Sequence, residues 1–330
     1  MKAMILGAGR IGRGFVSELL HANQVEITYF DASSVMVDKL NEKKEYTIHV
    51  LGAEELNTHM EGGQAHLFYD IDALCTCWKE ADFLFTACGG KNMGNVGETL
   101  AKAFKRLVEE NAVHVSNIVT CENWINPAKD LKEAIVSNLN EEERKLFEEN
   151  VGVSESVIMC TGTGAPDPDK VTNEMDTWVQ NMRYLPIDRD RIKGEIPQWD
   201  YVEFVTDFGD LLKQKIYTNN TSVATVSYLG KLKGLTYVAD SANDPEIEWE
   251  SMRKVRSNSP KQQKRKIQTA LLSIWLHALP EIPSVSWDRR IALSGRCVSH
   301  CLRESGQRRL HLVLPLHCIL TILRTAMHFV

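Results

Sequence analysis

The segment "MILGAGRIGRGF", residues 4–15, decides the fold that this sequence predicts. Its glycines have the GxGxxG spacing and follow a short apolar run typical of a buried strand. In such a motif the first glycine forms the turn, the second lets backbone approach a pyrophosphate, and the third allows close packing of strand and helix. The amides at the helix start bind the phosphate charge. The residues predicted to bind a cofactor here are Gly7, Ala8, Gly9, Arg10, Ile11 and Gly12.

An acidic residue ends the second predicted strand, about twenty residues beyond the glycines. This residue, Asp31, is placed to accept a hydrogen bond from a ribose 2′-hydroxyl. A carboxylate repels a 2′-phosphate, so NAD is favoured over NADP, although Arg10 and Arg13 weaken that preference. Thr86 lies near the end of the predicted strand "ADFLFTAC" and is assigned to the same cofactor site. The alternatives are FAD, which the later segments do not favour, and an unrelated α/β fold with a glycine turn.

The first half of the chain alternates short apolar runs with helical patterns, which is typical of a parallel α/β sheet. The runs "AMILGA", "EITYFDA", "ADFLFTAC" and "AVHVSNIVTC" predict strands, and helices are predicted at "NVGETLAKAFKRLVEEN", "PAKDLKEAIVSNL" and "NEEERKLFEENV". The sequence therefore predicts an α/β fold with a Rossmann-type dinucleotide-binding domain at residues 1–195. The period beyond Tyr201 is helical, so residues 196–256 are predicted to begin a mainly helical C-terminal substrate domain.

Composition limits the class of protein. The chain has 330 residues and a net charge of -6, with 43% apolar and 25% charged residues, which is typical of a soluble protein without a nucleic-acid-binding surface. The N-terminal apolar run is too short for a secretory signal, and residues 310–330 are interrupted by proline, arginine and histidines. Eight scattered cysteines lack zinc spacing. We expect a cytoplasmic protein with a small-molecule partner, no metal and no membrane contact.

A second segment is predicted to form one helix at residues 211–234, "LLKQKIYTNNTSVATVSYLGKLKG". It has five consecutive polar residues in its centre. Asn, Thr and Ser compete with a helix for backbone hydrogen bonds, so such a run is unfavourable unless packing or chemistry offsets it. This polar centre is interpreted as a reaction surface.

Together these motifs resemble the polyol-specific long-chain mannitol dehydrogenase family, and within it the mannitol-1-phosphate 5-dehydrogenases. The resemblance covers residues 1 to 256 and rests on "MILGAGRIGRGF", Asp31, "NIVTCENW" and "KIYTNNTSVATVSYLGKLKG". It implies a Rossmann-type domain, a helical substrate domain, NAD and no metal. The implied reaction is the interconversion of mannitol 1-phosphate and fructose 6-phosphate. An unphosphorylated polyol or a hexuronate is an alternative substrate, and a catalytically silent NAD-binding homologue is an alternative function.

The resemblance also implies three catalytic residues. The family pattern of a lysine, an asparagine five residues later and a histidine three further on falls on Lys215, Asn220 and Val223, so the histidine is replaced. Lys215 is the implied general acid and base, which requires a lowered pKa, and Lys213 is an alternative. Asn220 and Asn123 are the implied donors to the substrate oxygen.

A second departure from the family pattern lies at the end of the sheet domain. Ile158 and Met159 occupy the positions of a charged Asp-Arg pair that the family carries before its Ile-Val-Pro sequence. With Val223, this difference puts the activity or the substrate of the chain in doubt.

The segment after Ser257 differs from the rest in charge. Of the 44 acidic residues only three follow Ser257, whereas 11 of the 38 lysines and arginines do. Residues 257–330 are thus an anomalous basic tail, and the family fold is expected to be disrupted after residue 256. Read one register away, the codons of "ALPEIPSVSWDRRIAL" are compatible with the family-like "RVARNPIRKLGPADRL". We hypothesise a frameshift between Ser251 and Lys266. Sequencing the gene across codons 250 to 270 tests this, and an intact frame contradicts it.

Overall fold

The computed structural model describes residues 1–61, 63–215 and 220–248. Its first unit contains a six-stranded sheet in which every neighbouring pair is parallel. The strand order is β5-β2-β1-β6-β7-β8. These strands are β1 (Lys2–Leu6), β2 (Glu26–Asp31), β5 (Gln64–Leu67), β6 (Phe83–Thr86), β7 (Ser116–Thr120) and β8 (Val151–Glu155).

Helices cover this sheet on both sides because its central strands are apolar on both faces. Alternate residues of β1 divide between two cores: Met4 and Leu6 pack with one cluster, and Ala3 and Ile5 pack with the other. The first cluster includes α3 (Ile71–Trp78), α4 (Met93–Glu109), α5 (Pro127–Val136) and α6 (Glu141–Asn150). The second includes the helix after the glycine turn and α2 (Ser34–Lys43).

A four-stranded sheet packs against the helix that follows the glycine turn. Its order is β4-β3-β10-β9, and a Cβ on Gly14 would lie 3.0 Å from Val179 Cγ1. The described residues also contain a pair of parallel strands, β11 and β12. These strands are β3 (Glu45–Leu51), β4 (Thr58–Glu61), β9 (Gly162–Thr163), β10 (Thr177–Gln180), β11 (Leu185–Asp188) and β12 (Val202–Val205).

The structure confirms the Rossmann-type α/β fold and the strands predicted from the four apolar runs. The predicted helices correspond to α4, α5 and α6. The division between the two compact units falls between Phe208 and Gly209, because β12 pairs with β11 of the first unit. The assignment of functional domains to residues 1–195 and 196–256 stays a prediction.

The second unit is described through residue 248 and is helical there. Its helices are α7 (Phe208–Lys215), which starts at the division, α8 (Thr221–Leu232) and α9 (Val238–Ala242). A small core of Val226, Ala242 and Ile247 packs α8 against α9. Part of the expected helix, residues 216–219, and the anomalous basic tail, residues 257–330, lie outside the described residues. Among the helices described, none has the length and apolar character needed to cross a membrane.

Candidate cofactor cradle and catalytic residues

The three glycines of the first motif occupy three different environments. Gly7 has a φ of +106°, and a Cβ there would lie 2.5 Å from the carbonyl oxygen of Ala87. A Cβ on Gly12 would overlap the carbonyl oxygen of Gly7, whereas a Cβ on Gly9 would meet nothing within 4 Å. The first glycine therefore forms the turn, the third permits strand and helix to approach, and the second leaves open space for a ligand.

The helix after the turn begins as a π-helix, Arg10–Val16, and continues as α1 (Ser17–Ala22). A chain of buried hydroxyl groups satisfies its carbonyls. Ser17 donates to the Gly12 carbonyl at 2.8 Å and shares a 2.9 Å hydrogen bond with Tyr29. Tyr46, 2.8 Å from the Tyr29 hydroxyl, donates to the Arg13 carbonyl. The motif did not predict this π-helical geometry, since the supporting tyrosines lie on distant strands.

Asp31 is held beside the glycine turn by two backbone amides. Ala8 N–H donates to its Oδ2 at 2.8 Å, and Ser33 N–H donates to its Oδ1 at 2.9 Å. A carboxylate has about four acceptor positions, so it can also accept from a ribose hydroxyl. The carboxylate is therefore placed at the edge of the turn, where the sequence predicted it.

The two arginines of the motif have different surroundings. Arg10 is exposed, whereas Arg13 is buried with its guanidinium 5.7 Å from the Tyr46 ring centroid and 3.4 Å from the Ala8 carbonyl. Burial lowers the pKa of Arg13. Because the Arg13 side chain is enclosed by protein, only Arg10 of this pair is exposed to solvent beside the turn. Ile11 is half-buried against the core.

Thr86 is completely buried, and its hydroxyl donates to Glu122 Oε1 at 3.0 Å. Glu122 also accepts from the backbone N–H groups of Cys88, at 3.0 Å, and Gly89, at 2.9 Å. Thr86 thus supports the loop after β6, and its contact with a cofactor stays a prediction. Sequence reasoning missed Glu122, although an acidic residue directly after an apolar strand was a usable signal.

Burial changes the titration of this cluster. It raises the pKa of the Glu122 carboxyl, which the hydrogen bonds from Cys88, Thr86 and Gly89 oppose. It also raises the pKa of the Cys88 thiol far above its usual value, and the neighbouring carboxylate adds to this effect. Cys88 is therefore a protonated thiol and an unsuitable nucleophile.

Asn123 follows Glu122 and is half-buried in the first unit. The other two predicted catalytic residues lie in the second unit, where Lys215 is 5% exposed and Asn220 is 4% exposed. Burial lowers the pKa of Lys215 to about 8. Asn220 Oδ1 has no hydrogen-bond partner among the described residues. The convergence of these three side chains on one substrate stays a prediction.

The two departures from the family pattern have different environments. Val223, at the histidine position, is 38% exposed on α8. Ile158 packs against the core of the first unit, and Met159 is half-buried. Neither Val223 nor Ile158 can replace the charge or hydrogen bonding of the family residue.

Metal ligands were not expected from the sequence. Within residues 1–61, 63–215 and 220–248 there is no group of three His, Cys, Asp or Glu side chains that could hold a metal ion. The five cysteines described there are free thiols, at positions 75, 77, 88, 121 and 160.

Comparison with known proteins agrees with the Rossmann-type fold. Residues 1–200 match the family described as the mannitol dehydrogenase Rossmann domain. The mannitol-1-phosphate 5-dehydrogenases of Bacillus pumilus and Bacillus subtilis are each 32% identical, over 252 and 259 residues. Each alignment covers 75% of this chain, but the chain spans only 65% of the length of either relative.

A solved structure shows the same fold. The Pseudomonas fluorescens mannitol 2-dehydrogenase, in a ternary complex with NAD and D-mannitol, superposes with a TM-score of 0.68 and 13% identity. The superposition covers 85% of this chain and 70% of that chain.

The parallel sheet, the glycine turn and the acid at the end of β2 define a Rossmann-type dinucleotide-binding domain. With the family match over residues 1–200, the chain belongs to the mannitol dehydrogenase family.

Two glycine substitutions separate ligand binding from folding. We expect Gly9→Ala to fold normally, because its methyl group meets no protein atom, and to weaken NADH binding at least tenfold because it fills the open space. Gly12→Ala should lower the free energy of unfolding by about 1–3 kcal/mol, since its methyl overlaps the Gly7 carbonyl. Fluorescence titration with NADH and urea unfolding measure the two effects. Full NADH affinity in Gly9→Ala contradicts the assigned role of this glycine.

Proposed function

We propose that this chain is an NAD-dependent polyol phosphate dehydrogenase that interconverts mannitol 1-phosphate and fructose 6-phosphate. The mannitol-1-phosphate 5-dehydrogenases that are 32% identical to it support this substrate pair. The cradle, formed by the glycine turn of residues 7–12 and by Asp31, is evidence for NAD as the cofactor. Asp31 lies at the turn and is suited to a ribose hydroxyl rather than a 2′-phosphate. The neighbour of the same fold contains NAD with D-mannitol, which agrees with this choice.

The observation that carries the proposal is the burial of Lys215, which is 5% exposed. A lysine in water has a pKa near 10.5 and holds its proton at neutral pH, so it cannot serve as a base there. Burial lowers the pKa of Lys215 to about 8, so a fraction of roughly one tenth is neutral at pH 7. Proton transfer is most effective when the pKa of the catalytic group lies near the working pH.

The residues divide the reaction between them. When bound, NAD would supply the chemistry of hydride transfer at the carbinol carbon of the polyol. In oxidation, the neutral Lys215 amine takes the hydroxyl proton as the carbonyl forms. In reduction, the Lys215 ammonium returns a proton to the substrate oxygen. Asn220 and Asn123 would donate hydrogen bonds to that oxygen while it carries negative charge.

The replaced histidine favours a second candidate function. Val223 cannot orient a sugar hydroxyl or share a proton, and Ile158 packs against the core of the first unit. A chain that has lost these contacts could act on an unphosphorylated polyol or a hexuronate, or bind NAD without turnover. These alternatives all retain the cradle; the first two differ in the substrate, and the third lacks turnover.

A substrate comparison distinguishes these functions. We expect purified full-length protein to oxidise NADH with fructose 6-phosphate and to act at least tenfold less efficiently, in kcat/KM, on fructose and on keto-uronates. The decrease in NADH absorbance measures each rate. A preference for fructose or a keto-uronate contradicts the phosphorylated substrate. NADH binding without any turnover supports the silent homologue.

The pH dependence of the two directions tests Lys215. Above its pKa the amine is neutral and accepts a proton, so kcat/KM for polyol oxidation should rise as pH increases through about 8. Ketose reduction needs the ammonium and should fall over the same interval. Lys215→Met should lower both rates by about 10²–10⁴-fold while NADH still binds. Lys213→Met is the matched control, and loss of activity in that variant instead would transfer the role to Lys213.

A further inference from the structure

Glu122 is a buried carboxylate that the proposed reaction does not use. It lies two residues after the end of β7 and is 7% exposed. Its Oε1 accepts from the Thr86 hydroxyl and from the N–H and thiol of Cys88, and its Oε2 accepts from Gly89 N–H. Among the described residues no cation forms an ion pair with it; its hydrogen bonds come from uncharged groups.

This set of donors explains why the position carries a carboxylate. Four donors converge on two oxygen atoms, and an ionised carboxyl group is acceptor-only with about four lone-pair sites. A glutamine would place an NH2 group against one of the donors. A buried charge is unfavourable unless hydrogen bonds compensate it, so the cluster is stable only while the loop stays in place.

The loop that Glu122 holds lies at the crevice of the sheet. The strand order changes direction between β1 and β6, and ligands of such sheets bind outside the carboxyl ends of the strands at that point. The Ala87 carbonyl of this loop is the atom nearest to a Cβ on Gly7. A displacement of the loop would therefore change the space beside the glycine turn.

A second contact holds the same loop from its other end. Trp124 covers Gly90 so closely that a Cβ at Gly90 would overlap the indole. Asn92 Nδ2 also donates to the Cys88 carbonyl at 2.6 Å. Glu122, Asn123 and Trp124 are consecutive, so the end of β7 both fixes the loop after β6 and carries a proposed substrate donor.

We propose that Glu122 is a positioning residue that fixes the loop of residues 87–90 against the glycine turn and thereby sets the affinity for the nicotinamide cofactor. It acts through the loop and transfers no proton in the reaction. The inference rests on the proposed function only in taking the ligand of the cradle to be a nicotinamide dinucleotide.

The test compares two buried carboxylates at the carboxyl ends of neighbouring strands, Glu122 just beyond β7 and Glu155 at the end of β8. Glu122→Gln replaces one of the two acceptor oxygens with an NH2 donor, and we expect the Kd for NADH to rise at least tenfold in fluorescence titrations of the full chain. Glu155→Gln is the matched control, because Glu155 ends β8, is 4% exposed and contacts Arg191 at 3.2 Å rather than the loop. We expect it to lose stability while its Kd stays within twofold of the wild type.

A second variant reaches the same loop without changing the carboxylate. Gly90→Ala forces the loop away from Trp124, so it should also raise the Kd for NADH. Hydrogen exchange at the amides of Cys88 and Gly89 should become faster in Glu122→Gln and remain slow in Glu155→Gln. The Kd of Gly90→Ala remains a usable measurement if Glu122→Gln is unstable.

The outcomes are distinct. An unchanged Kd in both Glu122→Gln and Gly90→Ala overturns the positioning role, as does a wild-type chain that binds no NADH. An equal rise in the Glu155→Gln control assigns the effect to general destabilisation and also overturns it. Wild-type protein that binds NADH but converts no sugar contradicts the proposed function and leaves the Kd comparison valid.

Discussion

Three backbone segments meet at the glycine turn with no side chain between them. The Gly7 turn abuts the Ala87 carbonyl, and the helix passes over the Gly7 carbonyl at Gly12. Because β1 and β6 are adjacent and parallel, this contact brings the helix start and the loop after β6 to one edge of the sheet. A helix start carries unpaired amides and partial positive charge, which suits a pyrophosphate. The positions of the other groups around the cradle depend on this close packing of backbone segments.

Two carboxylates flank that positive helix start, and each accepts hydrogen bonds from backbone amides. Asp31 joins the turn to the start of α2 through Ala8 and Ser33. Glu122 joins β7 to the loop after β6. Negative groups near a phosphate site are unfavourable, so the positions of these two carboxylates at the flanks indicate roles other than phosphate binding. One suits a ribose hydroxyl, and the other is enclosed by the loop that it holds.

The sequence predicted those parts of the fold that depend on local patterns. Apolar runs gave the central strands, and the glycine spacing placed the turn between β1 and its helix. Two features could not be predicted because they depend on residues distant in the chain. The π-helix relies on hydroxyls of Tyr29 and Tyr46, which lie on strands of different sheets. The pairing of β3 with β10 joins residues near 48 and 177.

The candidate site also combines features that the sequence predicted with features that it could not predict. The family resemblance implied Lys215, but its lowered pKa follows from burial, which a sequence does not contain. Thr86 shows what position in the sequence leaves out. It ends a strand at the edge where ligands bind, yet its hydroxyl is directed to Glu122 inside the protein. Its contact with a cofactor stays a prediction.

The polar side chains at the start of α8 differ in whether they have hydrogen-bond partners. Thr225 and Ser227 donate to the carbonyls of Thr221 and Val223, one turn earlier, so the helix satisfies these hydroxyls itself. Asn220 differs, because its Oδ1 is buried without a partner among the described residues. An unpaired buried amide oxygen costs about 1–3 kcal/mol. Rotation about χ2 exchanges the oxygen and the NH2 group, so the unpaired position can present the donor that a developing oxyanion needs. Under the role proposed for Asn220, substrate binding would recover this cost, which would account for a polar residue that folding alone does not favour.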